Sequence, residues 1–268
     1  MKEIQALALT IRRLSLHMVH RAKASHIGSA LSIADIVAVL YSHVLKVDPS
    51  QPRLDLRDRF ILSKGHACVA VYSALAAKGF FPESQLEDYA SDHSSMMSHI
   101  SHKVAGVEFS TGSLGHGLPF GTGKALAAKK LNKSWRTFVL LSDGELGEGS
   151  NWEAMMFAAH HQLDNLVAIV DYNKLQSLTT VDKTLRIEPL ADKARAFGWA
   201  VREVDGHDHT SILALLNSGP WESGKPSFLI AHTTKGKGVS FMENKVEWHY
   251  KSPSDEQLEL ALKELVHA

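Results

Sequence analysis

The stretch of sequence that decides the fold spans residues 137–173 and reads TFVLLSDGELGEGSNWEAMMFAAHHQLDNLVAIVDYN. It begins with a predicted strand over 137–142, apolar from Phe138 to Leu141, and ends with a second one over 166–171, apolar from Leu166 to Val170. Between them, Ser150 with a glutamate three residues later forms a capping-box pattern that predicts the start of a helix. Continuous apolar strands joined by a helix are typical of a parallel sheet covered on both faces. The stretch therefore predicts one strand–helix–strand unit of an α/β fold.

The same alternation extends through the rest of the chain. Two helices are predicted first, of which one carries apolar residues at spacings of three and four from Ile4 to Met18. The other is predicted to begin after Ser32, with Asp35 completing a capping box, and to end by Pro49. Because no segment has linker composition, residues 1–268 are predicted to form a single doubly wound domain with a mostly parallel sheet and helices on both faces. The remaining predicted strands are 59–63, 199–204 and 227–232, and the remaining predicted helices are 67–78, 114–131, 150–161, 190–197, 209–216 and 254–266.

Composition narrows the classes of function. The 29 Lys and Arg residues balance 29 Asp and Glu residues, so no net field attracts the chain to nucleic acid or to an anionic membrane, and neither is expected as a partner. Cys68 is the only cysteine, which excludes an internal disulfide and a cysteine-based zinc site and favours a reducing compartment. The N-terminal residues lack the apolar core of a signal peptide, so we expect a cytoplasmic protein.

Two polar residues follow neighbouring strands of the predicted unit. Asp143 comes directly after the first strand, and Asn173 follows the second. Ligand sites of doubly wound sheets gather at the carboxyl ends of the strands, where oxygen donors of this kind suit Mg²⁺ or Ca²⁺ and leave positions for phosphate oxygens. Gly144 would allow close approach of the backbone to those oxygens. The alternative is that Asp143-Gly144 is a turn and that Asn173 caps a loop.

The 16 histidines are the unusual feature of the composition. They invite a metal or an acid–base interpretation, although dispersed surface and core usage would give the same number. A histidine-rich hydrolase would hold Zn²⁺ or Mn²⁺ through nitrogen ligands, in contrast to the oxygen ligands predicted above.

The unit containing Asp143 and Asn173 resembles the thiamine-diphosphate-binding motif, with Ser142 in place of the first glycine of that motif. Several further motifs occur in the same order as in transketolases. Taken together, nearly the whole chain resembles the N-terminal, diphosphate-binding domain of transketolase. The additional motifs are SHIG at 25–28, RDRFILSKGH at 57–66, GVEFSTGSLGHG at 106–117, KGKG at 235–238 and WH at 248–249.

The resemblance implies a thiamine diphosphate site with a bound Mg²⁺, which Ca²⁺ or Mn²⁺ could replace. The implied metal ligands are Asp143, Asn173 and the backbone carbonyl of Leu175. The implied cofactor-binding residues are His66, Gly112, Ser113, Leu114, Asp143, Gly144, Asn173 and Lys235.

The resemblance also implies a set of catalytic residues. Glu148 corresponds to an acidic residue near the subunit interface that couples two cofactor sites, and His93 and His102 compete with His99 for one histidine position. Ile27 and Tyr250 depart from the family pattern on the side that faces the sugar. The histidines implied in the sugar channel are His26, His66, His99 and His249.

In the family, the glutamate that contacts the aminopyrimidine ring belongs to the next domain, for which this sequence has no room. The resemblance therefore implies a split transketolase, in which a C-terminal subunit supplies the pyrimidine-binding domain in an α2β2 assembly. The implied reaction transfers a two-carbon ketol unit from a ketose or its phosphate to an aldose or its phosphate. Alternatives are the α-type subunit of a 2-oxoacid dehydrogenase, a deoxyxylulose-phosphate synthase-like enzyme and a non-catalytic homologue.

Overall fold

A single five-stranded sheet organises the fold in the computed structural model, which describes residues 1–266. All strand pairs are parallel, and the strand order across the sheet is β1-β2-β3-β5-β4. The predicted parallel α/β fold is therefore confirmed, with each strand within one residue of its predicted position. The strands are β1 (Arg59–Leu62), β2 (Thr137–Ser142), β3 (Leu166–Tyr172), β4 (Ala200–Asp205) and β5 (Ser227–His232).

Helices cover both faces of this sheet because side chains alternate along each strand. The helices are α1 (Lys2–Ala22), α2 (Ile27–Val39), α3 (Cys68–Ala77), α4 (Gly117–Lys130), α5 (Gly149–His160), α6 (Val181–Thr184), α7 (Leu190–Ala196), α8 (His209–Asn217) and α9 (Asp255–Val266). In β2, Phe138 and Leu140 pack into one core with α1, α2 and α3, whereas Val139 and Leu141 pack into the other core with α4, α5 and α7. Helices α8 and α9 complete the first core.

The predicted start of the second helix is wrong. Helix α2 begins at Ile27, after His26 in a left-handed conformation with φ 77°, and Ser32 lies in its interior. The Ser32 hydroxyl donates 2.6 Å to the carboxylate of Asp171 at the end of β3, and Asp35 pairs with Arg12 of α1. Both polar residues are therefore used in tertiary contacts instead of capping the helix.

Helix α2 is also the most apolar helical region of the fold. Within residues 1–266, the continuous helical stretch 27–44 is the one that is long and apolar enough to cross a membrane. Of this stretch, 89% is buried inside the domain, as in the core helix of a soluble protein. Its hydrophobicity follows from its position between α1, α3 and α8.

Candidate active site

The carboxyl ends of β2 and β3 bring the predicted metal ligands into one pocket. Ser142 pairs with Asp171 in the parallel register, so the residues that follow both strands emerge at the same edge of the sheet. Asp143 and Asn173 line this pocket together with Leu175. Their predicted proximity is therefore observed, while their role as ligands stays a prediction.

Asp143 is held in a cradle of backbone amides. Its side chain is almost completely buried, and its carboxylate accepts hydrogen bonds from the amides of Gly144 at 2.7 Å and Lys174 at 2.5 Å. Burial, followed by repulsion from Asp171, raises the pKa of Asp143 to about 7. A buried carboxylate whose charge is this unfavourable has the electrostatics of a cation ligand.

Asp171 has the opposite environment, although it lies on the neighbouring strand. Burial by itself would raise the pKa of Asp171, but the ammonium of Lys64, at 2.5 Å, and hydroxyl donors including Ser32 hold it below its ordinary value. Asp171 also accepts a 2.9 Å hydrogen bond from the amide nitrogen of Asn173, whose oxygen accepts from the Leu175 amide at 3.0 Å. Asp171 thus orients Asn173, and Asp143 remains the carboxylate available to a cation.

The donor set of the pocket fits a hard divalent cation with a diphosphate. A carboxylate oxygen, an amide oxygen and the Leu175 carbonyl are ligands that Mg²⁺ accepts. The Lys235 ammonium lies 3.3 Å from that carbonyl, 3.2 Å from the Gln176 carbonyl and 2.9 Å from Nδ1 of His249. Burial, followed by the charge of Lys64, lowers the pKa of Lys235 to about 8, so most of its positive charge is retained at neutral pH. The positive charge of Lys235 suits the negative charge of a diphosphate, whereas that of Lys64 is already paired with Asp171.

The space beside Asp143 is kept open because the next residue, Gly144, has no side chain. A Cβ atom on Gly144 would lie 2.8 Å from the side chain of Gln176, which also lines the pocket. Gly112 is exposed and Leu114 is partly buried where they line the pocket, whereas Ser113 between them is exposed and does not line it. The floor is therefore closely packed around the predicted ligands, and the rim is open.

Four histidines form one wall of the pocket. The ring of His26 lies 5.1 Å from those of His66 and His249 and 5.6 Å from that of His99, measured between centroids. Burial is the main cause that lowers the pKa of all four, to about 4 for His26 and about 3 for His249, with nearby positive charges adding to the shift for His26, His66 and His249. The four imidazoles are therefore neutral near pH 7 and can exchange hydrogen bonds and protons with hydroxyl groups.

The structure separates His99 from its competitors. His99 lines the pocket, whereas His102 bonds to Ser110 at the surface and His93 is exposed. Glu148 does not line the pocket: it is exposed at the N-terminus of α5, and its predicted coupling role stays a prediction.

Sequence reasoning missed several residues of the site. Lys64 and Asp171 form the buried ion pair of the floor, and Gln176 lines the pocket. Lys64 lies inside the 57–66 motif, two residues after the end of β1, and Asp171 is the residue before the last of β3, two residues before Asn173. A charged residue at the end of a buried strand was the signal that could have identified both.

Among residues 1–266, no group of three or more His, Cys, Asp or Glu side chains is arranged to hold a metal ion.

A parallel sheet with oxygen donors and ammonium groups at its carboxyl edge defines the class of α/β domains that bind a diphosphate cofactor. Residues 4–265 match the family model described as the transketolase thiamine diphosphate binding domain, and the chain belongs to this family. The resemblance to transketolase is thereby confirmed, together with the thiamine-diphosphate-binding fold.

Relatives of similar length are single subunits of transketolases. The chain is 42% identical over 254 residues to an apulose-4-phosphate transketolase subunit from Phocaeicola vulgatus, covering 95% of this chain and 90% of that one. It is 39% identical over 264 residues to a 6-deoxy-6-sulfo-D-fructose transketolase subunit from Clostridium sp., covering 98% and 96%. The solved transketolase of Campylobacter jejuni superposes with a TM-score of 0.93 at 33% identity, covering 99% of this chain and 43% of that one. The chain thus spans less than half of that solved transketolase.

Proposed function

We propose that this chain is the N-terminal subunit of a split, thiamine-diphosphate-dependent transketolase. It would transfer a two-carbon ketol unit from a ketose or ketose phosphate to an aldose or aldose phosphate. The observation that carries the proposal is the convergence of Asp143, Asn173 and the Leu175 carbonyl in the pocket that four histidines also line. The transketolase names of the relatives support this activity over the other thiamine-dependent alternatives.

The residues of the pocket floor would hold the cofactor. Asp143, Asn173 and the Leu175 carbonyl would bind Mg²⁺, or Ca²⁺ or Mn²⁺ in its place. Lys235 would bind the diphosphate, Gly144 would approach it through the backbone, and His66 and the 112–114 segment would contact the rings. When bound, thiamine diphosphate supplies the electron sink for cleavage of a carbon–carbon bond beside a ketose carbonyl.

The chain's own contribution to the reaction would be orientation and proton transfer. The neutral imidazoles of His26, His99 and His249 would hydrogen-bond the hydroxyl groups of the sugar along the open side of the pocket. Because their pKa values lie below neutrality, these groups are available as proton acceptors without first losing a proton. Burial, followed by the charge of Lys235 at 2.9 Å from Nδ1, lowers the pKa of His249 to about 3 and so keeps this imidazole neutral.

A second polypeptide would complete the site. We assign this role to a C-terminal transketolase subunit with the pyrimidine-binding domain, in an α2β2 assembly in the cytoplasm. Two features support it: relatives named as subunits have nearly the length of this chain, and Gly112 and Tyr250 are exposed where they line the pocket. The exposed Glu148 would lie near the interface that couples two cofactor sites. Residues 1–268 would act as one diphosphate-type domain.

Reconstitution tests the division of labour. The isolated chain, the isolated partner and their mixture are assayed with Mg²⁺ and thiamine diphosphate on ketose phosphates with aldose phosphate acceptors, and on pyruvate. We expect ketol transfer only from the mixture of the two chains, and only with ketose donors and not with pyruvate. Appreciable transfer by the isolated chain, or activity of the mixture with pyruvate and not with ketoses, would contradict the proposal.

A further inference from the structure

A second cluster of charged and histidine side chains lies outside the pocket, around the carboxylate of Asp35 in α2. The guanidinium of Arg12 donates to it at 3.1 and 2.6 Å. Nδ1 of His207 and Nε2 of His209 lie 2.7 Å from its two oxygens. One nearly buried carboxylate therefore organises three side chains from two other parts of the chain.

The contacts of His207 determine its tautomer. The backbone amide of Thr234 lies 2.8 Å from Nε2 of His207, and a backbone amide can only donate. Nε2 therefore carries a lone pair, and the ring proton resides on Nδ1, which faces Asp35. His207 links the buried carboxylate to the backbone of the 233–238 loop through a neutral imidazole.

That loop carries Lys235 into the pocket. The cluster holds the loop at two points on either side of this lysine: His207 accepts from the amide of Thr234, and Nε of Arg12 donates 3.0 Å to the carbonyl of Lys237. The ammonium of Lys235 then reaches the Leu175 carbonyl on the pocket floor. A shift of the Thr234 backbone would be transmitted to the adjacent residue and so to its ammonium.

We propose that His207 is a positioning residue for Lys235: its Asp35-anchored imidazole fixes the Thr234 amide and thereby sets the place of the Lys235 ammonium on the pocket floor. The inference rests on the proposed function, in which Lys235 binds the cofactor diphosphate. His209 binds the same carboxylate, but its side chain makes no other hydrogen bond within residues 1–266, so it provides a matched control.

Two substitutions at His207 test the contacts of its two ring nitrogens separately. In His207→Gln the amide oxygen reaches the position of Nε2 and can accept from Thr234, whereas in His207→Asn the shorter amide reaches only the position of Nδ1 and can bond only Asp35. We expect His207→Asn to weaken binding of Mg²⁺–thiamine diphosphate to the full chain with its partner by about tenfold in calorimetry, and His207→Gln to remain within about threefold of wild type. The control His209→Asn should change the affinity by less than about twofold, whatever it does to the melting temperature.

A double-mutant cycle tests whether the effect passes through Lys235. In a Lys235→Met background, His207→Asn should cause no further loss of affinity. Additive losses, or wild-type affinity in His207→Asn, would overturn the proposal, because a purely structural residue acts independently of Lys235.

A second readout needs no cofactor and so distinguishes this proposal from the proposed function. Trace acetylation of the free chain, read by mass spectrometry, should show the Lys235 amine several-fold more reactive in His207→Asn than in wild type, His207→Gln or His209→Asn, with the exposed Lys263 as internal reference. Unchanged Lys235 reactivity overturns the proposal. Absence of cofactor binding by wild type with its partner, together with altered reactivity, overturns the proposed function and leaves the positioning role intact.

Discussion

Asp143 and Asp171 show how two carboxylates on neighbouring strand ends acquire different tasks. Lys64 neutralises Asp171, which then acts as a hydrogen-bond acceptor for Ser32 and Asn173. Asp143 has no ammonium within ion-pair distance among the described residues and is held by backbone amides. Burying the charge of Asp143 therefore costs free energy, which a cation bound there would offset.

Replacing Asp143 with the isosteric amide separates stability from binding. In Asp143→Asn we expect the cofactor-free chain to melt within a few degrees of wild type, because relief of the buried charge is offset by the loss of one of the two oxygens that accept from the amides of Gly144 and Lys174. The affinity for Mg²⁺–thiamine diphosphate should fall by more than about tenfold, since a cation ligand is lost. Differential scanning fluorimetry and calorimetry measure the two effects, with the exposed Asp192→Asn as control. A variant with undiminished affinity would exclude Asp143 as a ligand.

Asp35 gives a pH-dependent prediction whose sign follows from its environment. Burial by itself would raise its pKa, but hydrogen bonds from His207 and His209 and the charge of Arg12 hold the pKa well below its ordinary value of 3.8. A depressed carboxyl pKa stabilises the folded state above the ordinary value, and this stability is lost as the pH falls through the folded-state pKa. We expect Asp35→Asn to cost about 3 kcal/mol near neutral pH, because Arg12 loses its partner.

The stability difference between wild type and Asp35→Asn should shrink as the pH falls below about 4, where the unfolded wild-type chain begins to take up a proton at Asp35. Urea unfolding of both proteins at a series of pH values measures this stability difference. A difference that stays constant down to strongly acidic pH would show that the charge of Asp35 does not contribute.

At the scale of elements, the contact of α4 with the sheet depends on one glycine. A Cβ atom on Gly121 would lie 2.4 Å from Cγ2 of Val139 in β2, whereas a Cβ on Gly123 of the same helix would meet nothing within 4 Å. The two glycines have the same intrinsic helix propensity, so their different surroundings decide the effect of substitution.

We expect Gly121→Ala to destabilise the chain by about 1–2 kcal/mol, because overpacking against Val139 outweighs the better helix propensity of alanine. Gly123→Ala should stabilise it by up to about 1 kcal/mol. Chemical unfolding of both variants measures the two changes in the free energy of unfolding. If both substitutions were stabilising, α4 would pack less closely on β2 than the structure shows.

The elements also show where local sequence patterns fail. Strand positions are predictable within one residue because a strand buried on both faces is a short, uninterrupted apolar run, for example 138–141 in β2. The start of α2 is not predictable from local sequence, because this helix is buried along its whole length and so lacks the polar boundary that marks a surface helix. Ser32 and Asp35 match a capping box by spacing, but their partners, Asp171 and Arg12, are distant in sequence.

At the scale of the whole molecule, the sheet separates two hydrophobic cores. Buried cysteine and tryptophan side chains in these cores can report on the unfolding of each. Cys68 and Trp248 belong to the core with α1–α3, and Trp199 belongs to the core with α4, α5 and α7. Burial raises the pKa of the Cys68 thiol to about 12, so the native thiol is both inaccessible and un-ionised at physiological pH.

We expect the native chain to resist alkylation by iodoacetamide at mildly alkaline pH and the denatured chain to react at its one thiol. If residues 1–268 unfold as one domain, the denaturant midpoint for Cys68 labelling will coincide with the midpoint from tryptophan fluorescence. Labelling at a clearly lower denaturant concentration would indicate that the two cores unfold separately.

By itself, the sequence determined the parallel α/β fold, the strand positions, and the placement of Asp143 and Asn173 at one edge of the sheet, because apolar periodicity and strand-end positions are local properties. Only the tertiary structure decided that Lys64 neutralises Asp171 and not Asp143, that His99 reaches the pocket while His102 does not, and that His207 holds the loop of Lys235. These outcomes depend on contacts between residues far apart in the chain, where burial and nearby charges set each group's protonation, and no local pattern encodes such contacts.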